Sequence, residues 1–259
     1  MKFDQALPAQ LRAAQRVVVF TGAGVSAESG IPTFRDALTG LWSRFDAARL
    51  ATPDAFIDDP ELVWGWYEWR RMQLLASQPN LAHWAIAQLA QHVPKLTLIT
   101  QNVDDLHERA GSTKVLHLHG SLQQPRCFDC NEDYSLPDAA PQEPAEGRRL
   151  APPRCSLCGG AVRPGVVWFG ESLPVPVMDA AFAAAANCDL LLSVGTSGVV
   201  HPAAQIPEIA LRSGAGVVHV NPEPKALGIG REWVLPGLAG QVLPELLREA
   251  FNTAKAGGK

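Results

Sequence analysis

The chain has 259 residues, 47% of them hydrophobic and 19% charged, a balance that suits one domain with insertions or two joined domains with a sizeable core. Its formal net charge of -4 argues against a dedicated nucleic-acid binder, which is ordinarily basic. No uncharged apolar run is long enough to span a bilayer, so neither a membrane nor a direct nucleic-acid partner is expected.

Phe3, Leu7 and Leu11 give residues 1–16 the pattern of a short amphipathic helix, without the continuous apolar core of a signal peptide. A cytoplasmic location is the expectation. Val17 to Phe20 is an apolar, mostly β-branched run suited to a strand buried on both faces. Gly22, Gly24 and Ala27 follow with the G-x-G-x-x-G/A spacing of a dinucleotide-binding turn, whose amides meet a pyrophosphate at a helix N-terminus. Taken alone, this spacing also fits a tight turn that binds nothing. Gly30-Ile31-Pro32 stops any helix after barely two turns, and Thr33 to Asp36 reads as an ordered loop. That departs from a dehydrogenase unit and favours chemistry on the dinucleotide over hydride transfer.

Pro53 and Pro60 mark two helix starts, the second helix running to about Ala76. This helix is rich in aromatics, and Tyr67 and Arg70 share one face at i and i+3. A phenol beside a guanidinium can hold a carboxylate, while simple packing of the aromatics explains the same residues. Residues 80–93 form a further helix, with His83 read as structural. Leu96 to Thr100 is a second buried strand, ending in Gln101, Asn102 and Asp104. One helix cap explains one of these polar groups but not all three. A third strand is expected over 115–119, with His117 and His119 on one face. At the carboxyl end of a strand, His119 is a candidate general base.

Cys127-x-x-Cys130 and Cys155-x-x-Cys158, separated by residues 131–154, have the spacing of a four-thiolate zinc ribbon. Disulfides are the alternative, disfavoured in a cytosolic chain. Four protein ligands make such an ion structural. Residues 136–153, rich in Pro, Ala and Glu, are expected to be a mobile loop, and Cys188 a buried thiol. Val166 to Phe169 is either an ordinary strand or an exposed edge suited to pairing with an extended peptide. Helices are expected over 178–187 and 242–251, and strands over 190–194 and 217–220. Those strands end in Gly195-Thr196-Ser197 and Asn221-Pro222-Glu223. Strand, polar turn and helix recur, which predicts a doubly wound parallel sheet with one polar rim.

Together these stretches resemble the sirtuins, NAD-dependent protein-lysine deacylases, over nearly the whole chain. The resemblance rests on GAGVSAESGIPTFR at 22–35, TQNVDDLHERAG at 100–111, HLHG at 117–120, the two cysteine pairs, VVWFGE at 166–171, GTS at 195–197 and NPE at 221–223. One departure is His117, where many members carry Glu.

The resemblance implies an α/β fold, a Rossmann-like domain over 1–36, 81–120 and 165–259. A small domain would be built from a helical insertion, 37–80, and a zinc-ribbon insertion, 121–164. It implies that Gly22, Ala23 and Gly24 cradle the pyrophosphate of NAD and that Ser26 joins the cofactor site. Phe34 and Arg35 would belong to a loop covering the cofactor. Gln101, Asn102 and Asp104 would position its ribose and nicotinamide. Gly195, Thr196, Ser197, Asn221, Pro222, Glu223 and Ala239 would line the adenosine side. Val166, Val167, Trp168 and Phe169 would pair with an acylated-lysine protein or peptide, and Cys127, Cys130, Cys155 and Cys158 would hold one zinc.

The implied reaction begins when the acyl oxygen attacks the ribose as nicotinamide leaves. His119 then acts as the base on a ribose hydroxyl, which attacks the resulting imidate, and water completes the transfer, giving free lysine and O-acyl-ADP-ribose. Tyr67-x-x-Arg70 matches the bacterial members whose acyl pocket prefers acidic acyl groups, so succinyl and malonyl removal is expected beside acetyl removal. An NAD-sensing binding module and an NAD-dependent oxidoreductase are the competing classes.

Overall fold

The computed structural model describes residues 3–31, 40–137 and 141–252. Its main sheet has six strands: β1 (Arg16–Thr21), β2 (Lys95–Thr100), β3 (Leu116–His117), β6 (Leu190–Val194), β7 (Gly216–Asn221) and β8 (Arg231–Pro236). They lie in the order β3-β2-β1-β6-β7-β8, and every pairing is parallel. Two short strands, β4 (Arg126–Cys127) and β5 (Val162–Arg163), pair antiparallel outside this sheet.

Strand β1 is apolar from Val17 to Phe20 and buried from Val17 to Thr21 because it is central and covered on both faces. Val17 and Val19 face one core cluster with helices α1 (Ala6–Ala13), α6 (Leu81–Leu89) and α10 (Ala239–Phe251). Val18 and Phe20 face another, with α8 (Val175–Ala186) and α9 (Ile206–Arg212). The chain builds β1, β2 and β3 outward in one direction, then returns to lay β6 beside β1 and builds outward in the other. The order therefore reverses between β1 and β6, and in open parallel sheets the crevice at that reversal is where ligands bind.

A third core cluster lies apart from the sheet. It joins α3 (Ala47–Leu50), α4 (Pro53–Asp58) and α5 (Pro60–Ala76) to Leu122, Val162, Val166 and Trp168. Val166 and Trp168 thus pack with the segments expected to form the small domain, although they fall in the stretch assigned to the large one. Helix α5 starts as expected: Pro60 occupies the first turn and Asp59 accepts the amide of Leu62 at 3.1 Å. Asn80 and His83 form a reciprocal capping box on α6, which gives His83 a structural role.

Several expectations change. Strand β8 and helix α9 were not anticipated. Strand β8 sits at the sheet edge and alternates exposed with buried positions, and its apolar run is only Trp233 to Leu235, flanked by Glu232 and Pro236. The third strand shortens to two residues. Residues 166–169 form no strand; a single antiparallel bridge joins Gly120 to Val166. The segment expected to be a mobile loop is docked, in its described part, along α5. The Trp69 indole donates to the Ala145 carbonyl at 3.3 Å, Leu150 N to Glu61 O at 3.0 Å, and Arg149 pairs with Asp59. Gly65 allows this approach, because a Cβ there would collide with the Arg148 carbonyl oxygen.

Candidate active site

A cleft of about 1500 Å³ opens at the carboxyl ends of the sheet strands. Two glycine turns meet at its base. Gly24 N donates to Gly195 O at 2.9 Å and Gly22 N to Val194 O at 3.0 Å. A Cβ on Gly22 would lie 2.9 Å from the Gly195 oxygen, and one on Gly24 would lie 2.8 Å from the Gly195 Cα. Both glycines are thus demanded by the contact between turns, as well as by any ligand above them. Helix α2 (Gly24–Ala27) begins at this point.

Gly22, Ala23, Gly24 and Ser26 line the cleft from the first turn, and Gln101, Asn102, Asp104 and His119 from the neighbouring strand ends. Gly195, Thr196, Ser197, Asn221 and Glu223 line it from the other half of the sheet. Pro222 and Ala239 are not among the lining residues; Ala239 is buried at the start of α10. Phe34 and Arg35 lie outside the described residues.

Beneath this rim runs a buried polar network. Ser26 Oγ donates to Asp104 Oδ2 at 2.9 Å and accepts from Asn102 Nδ2 at 3.0 Å. Burial raises the Asp104 pKa, while the bonds from Ser26 and the Leu106 amide pull it back. His83 Nε2 stands 3.5 Å from Ser26 Oγ, and His107 Nε2 lies 3.0 Å from Thr21 Oγ1. Burial lowers the pKa of both imidazoles, that of His83 to about 4. The sequence offered no pattern for His107, since its partner Thr21, itself donating to Thr100, comes from a strand 86 residues away.

His117, at the end of β3, and His119, in the turn after it, are held differently. His119 Nδ1 lies 3.0 Å from the Gln101 carbonyl, which can only accept, so Nδ1 carries the proton and Nε2 keeps its lone pair. Burial lowers the His119 pKa, so the ring is neutral at pH 7. His117 lies between two acceptors, the Asn102 carbonyl at 3.1 Å and Glu108 Oε1 at 2.7 Å. Burial opposes its charge, but Glu108, the Asn102 carbonyl and Asp104 together outweigh burial and the net pKa is raised.

Tyr67 and Arg70 of α5 line the same cleft as His119. Burial pushes the Tyr67 phenol up to about 12 and lowers the Arg70 pKa, though a guanidinium keeps its charge. The Arg70 guanidinium sits 5.1 Å from the centre of the Trp66 ring. Val166, Val167, Trp168 and Phe169 form another wall. Their amides are largely engaged within the chain: Val167 N with His119 O at 2.8 Å, Trp168 N with Glu171 Oε2 at 2.8 Å, and Phe169 N with Ala51 O at 2.9 Å. The cleft also reaches Leu173, Phe182, Val199 and His219, which no motif marked because isolated apolar residues and a strand histidine look the same in any core.

The four paired cysteines converge. Their sulfurs all lie within 4.8 Å of one another, with separations of 3.4 Å for Cys127–Cys158, 3.4 Å for Cys130–Cys158 and 3.7 Å for Cys130–Cys155. Tetrahedral Zn–S bonds of about 2.3 Å place sulfurs roughly 3.8 Å apart, so the donor set fits zinc with no position left open. Amides of Asp129, Leu157 and Gly160 point at the sulfurs of Cys127, Cys155 and Cys158, each at 3.4 Å, and suit thiolates.

Residues 22–202 match the family model described as the Sir2 family. A relative from Pseudomonas aeruginosa named NAD-dependent protein deacylase 1 is 67% identical over 243 residues, covering 93% of this chain and 96% of the relative. Among solved structures, a Sir2 homolog in complex with NAD superposes with a TM-score of 0.87 at 45% identity, covering 97% of this chain and 95% of that one. A Sir2 complex with a p53 peptide and NAD+ gives 0.81 at 30% identity, covering 98% and 100%.

Proposed function

The chain belongs to the Sir2 family, and from that premise we propose that it is an NAD-dependent protein-lysine deacylase acting on succinyl, malonyl and acetyl groups. The observation that carries the reading is that His119, the Ser26–Asn102–Asp104 network and the Tyr67–Arg70 pair all line one cleft. NAD, when bound, supplies the ribose that receives the acyl group and the nicotinamide that leaves.

The chain's own residues do the rest. Gly22, Ala23, Gly24 and Ser26 hold the cofactor from the first turn, and Phe34 and Arg35 are assigned to cofactor binding as well. Gln101, Asn102 and Asp104 orient its ribose and nicotinamide. Gly195, Thr196, Ser197, Asn221 and Glu223 form the adenosine side. His119 takes a proton from a ribose hydroxyl at Nε2 while the Gln101 carbonyl holds the ring by its opposite nitrogen. Such base catalysis is worth roughly 10²–10⁴-fold.

The substrate is an acylated-lysine protein or peptide lying along residues 166–169. With the amides of Val167, Trp168 and Phe169 engaged, its backbone pairs through carbonyls and neighbouring groups. Arg70 and Tyr67 bind the carboxylate of a succinyl or malonyl group. Zinc held by Cys127, Cys130, Cys155 and Cys158 supports the ribbon that forms the small domain, over 121–164, with the helical insertion at 37–80. The large domain comprises 1–36, 81–120 and 165–259. A cytoplasmic location belongs to this reading, since reduced thiolates are needed for the metal. Among the described residues no helix is long and apolar enough to cross a membrane.

The test is one peptide carrying acetyl-, succinyl- or malonyl-lysine, incubated with NAD and followed by nicotinamide release and mass spectrometry of O-acyl-ADP-ribose. The acidic acyl groups should be removed roughly ten- to a hundredfold more efficiently, a difference that Arg70→Met abolishes while sparing deacetylation. Equal loss of both activities in Arg70→Met removes the acid-acyl assignment, and no nicotinamide release with any peptide removes the deacylase.

A further inference from the structure

Tyr67 has a second relationship besides its neighbour Arg70. The Trp168 indole Nε1 donates to the Tyr67 hydroxyl oxygen at 3.0 Å, and both side chains are buried, at 2% and 5% exposure. An indole N–H can only donate, so the phenol's own proton cannot point back at it. One acceptor position of the hydroxyl is filled and its proton is turned away, on a residue that lines the cleft. A hydroxyl that accepts one hydrogen bond is also polarised into a stronger donor.

Trp168 is itself immobilised. The Arg163 guanidinium lies over its ring at 3.5 Å from the centroid. Glu171 takes the Trp168 amide at 2.8 Å and pairs through both oxygens with Arg163, which also donates to the Val166 carbonyl at 3.0 Å. Arg163 lies on β5, whose partner β4 carries Cys127. A continuous set of contacts therefore runs from the zinc ribbon through Arg163 and Trp168 to the phenol.

We propose that Trp168 is a specificity-determining positioning residue, whose indole N–H fixes the Tyr67 hydroxyl so that its proton is presented to a carboxylate on the acyl group. The role rests on the acid-acyl reading given above. A succinyl or malonyl carboxylate accepts that proton. An acetyl methyl has nothing to accept it with, so deacetylation is indifferent to its direction.

The experiment measures kcat and KM for succinyl and acetyl forms of one peptide with wild-type protein, Trp168→Phe, Tyr67→Phe and the double variant. Trp168→Phe keeps an aromatic ring under Arg163 and deletes the N–H. The succinyl-to-acetyl ratio of kcat/KM should fall about three- to tenfold in Trp168→Phe, beyond any loss the two activities share through the peptide wall, and the substitution should not lower that ratio further in the Tyr67→Phe background. Site-specific incorporation of the benzothiophene analogue of tryptophan at 168 replaces N–H by sulfur at nearly constant shape, and gives the same readout should Trp168→Phe fold poorly.

Equal losses of both activities, an unchanged succinyl-to-acetyl ratio, or a further fall in that ratio on the Tyr67→Phe background overturns the proposal. Arg70→Met in parallel separates the two claims. If it abolishes the acyl preference while the Trp168 variants do not, only the role of Trp168 falls; if it leaves the preference intact, the acid-acyl reading itself falls.

Discussion

His119 gives its Nδ1 proton to the carbonyl of Gln101, 3.0 Å away, and this one contact decides which nitrogen can act as a base. The carbonyl comes from the polar end of β2, so the strand that supplies Asn102 and Asp104 also fixes the tautomer of the histidine beside it.

His119→Ala is expected to fold and to bind NAD with near-normal affinity while deacylation falls by roughly 10²–10⁴-fold. Because burial lowers the His119 pKa, the acid limb of the kcat/KM–pH profile should have its midpoint below 6.5. A limb centred above 6.5 that vanishes in His119→Ala contradicts the geometry described here.

Stability should fall in mild acid. The folded pKa of His83 is about 4 against 6.5 for a free imidazole, so the unfolded chain binds the extra proton between those values. The stability tied to His83, about 3 kcal/mol, is fully present above pH 6.5 and lost as pH drops toward 4. His107 and His119, both lowered by burial, act in the same direction. His117 is raised by Glu108 and acts oppositely: its contribution is present below 6.5 and lost as pH rises through its folded value. Denaturant titrations from pH 7.5 to 4.5 should show a smaller loss for His83→Asn than for wild type, measured as the change from each protein's own value at pH 7.5.

Metal analysis should find one zinc per chain. Cys130→Ser or strong chelation should destabilise the fold by several kcal/mol rather than remove chemistry alone, because the closed site has no position for substrate. Thermal unfolding monitored together with zinc release tests this. Full stability after complete metal loss would separate the ribbon from the metal.

Gly65→Ala should cost about 1–3 kcal/mol, since the added methyl meets the Arg148 carbonyl where residues 141–150 lie on α5. Limited proteolysis should then cut that segment faster than in wild type. Unchanged stability and cleavage would mean that the segment is not held against the helix.

Much of this protein is determined by local sequence. The apolar run at 17–20 commits itself to a two-sided strand, the glycines at 22 and 24 to a tight turn, and the cysteine spacing to one tetrahedral donor set, because each depends on residues a few positions apart. Strand β8 was harder to read for the opposite reason: at a sheet edge it needs only alternate burial, and its short run Trp233–Leu235 is closed off by Glu232 and by Pro236. Tertiary structure alone decided the rest. The demand for glycine at 22 and 24 comes largely from Gly195, more than 170 residues away. Segment 141–150 has the composition of a free loop, yet it is docked because α5 offers a helix face bare at Gly65. The direction of the Tyr67 proton depends on Trp168, and that of the His119 lone pair on Gln101. Hydrogen-bond direction depends on which donor meets which acceptor in space, and linear spacing carries no record of partners brought together from distant parts of the chain.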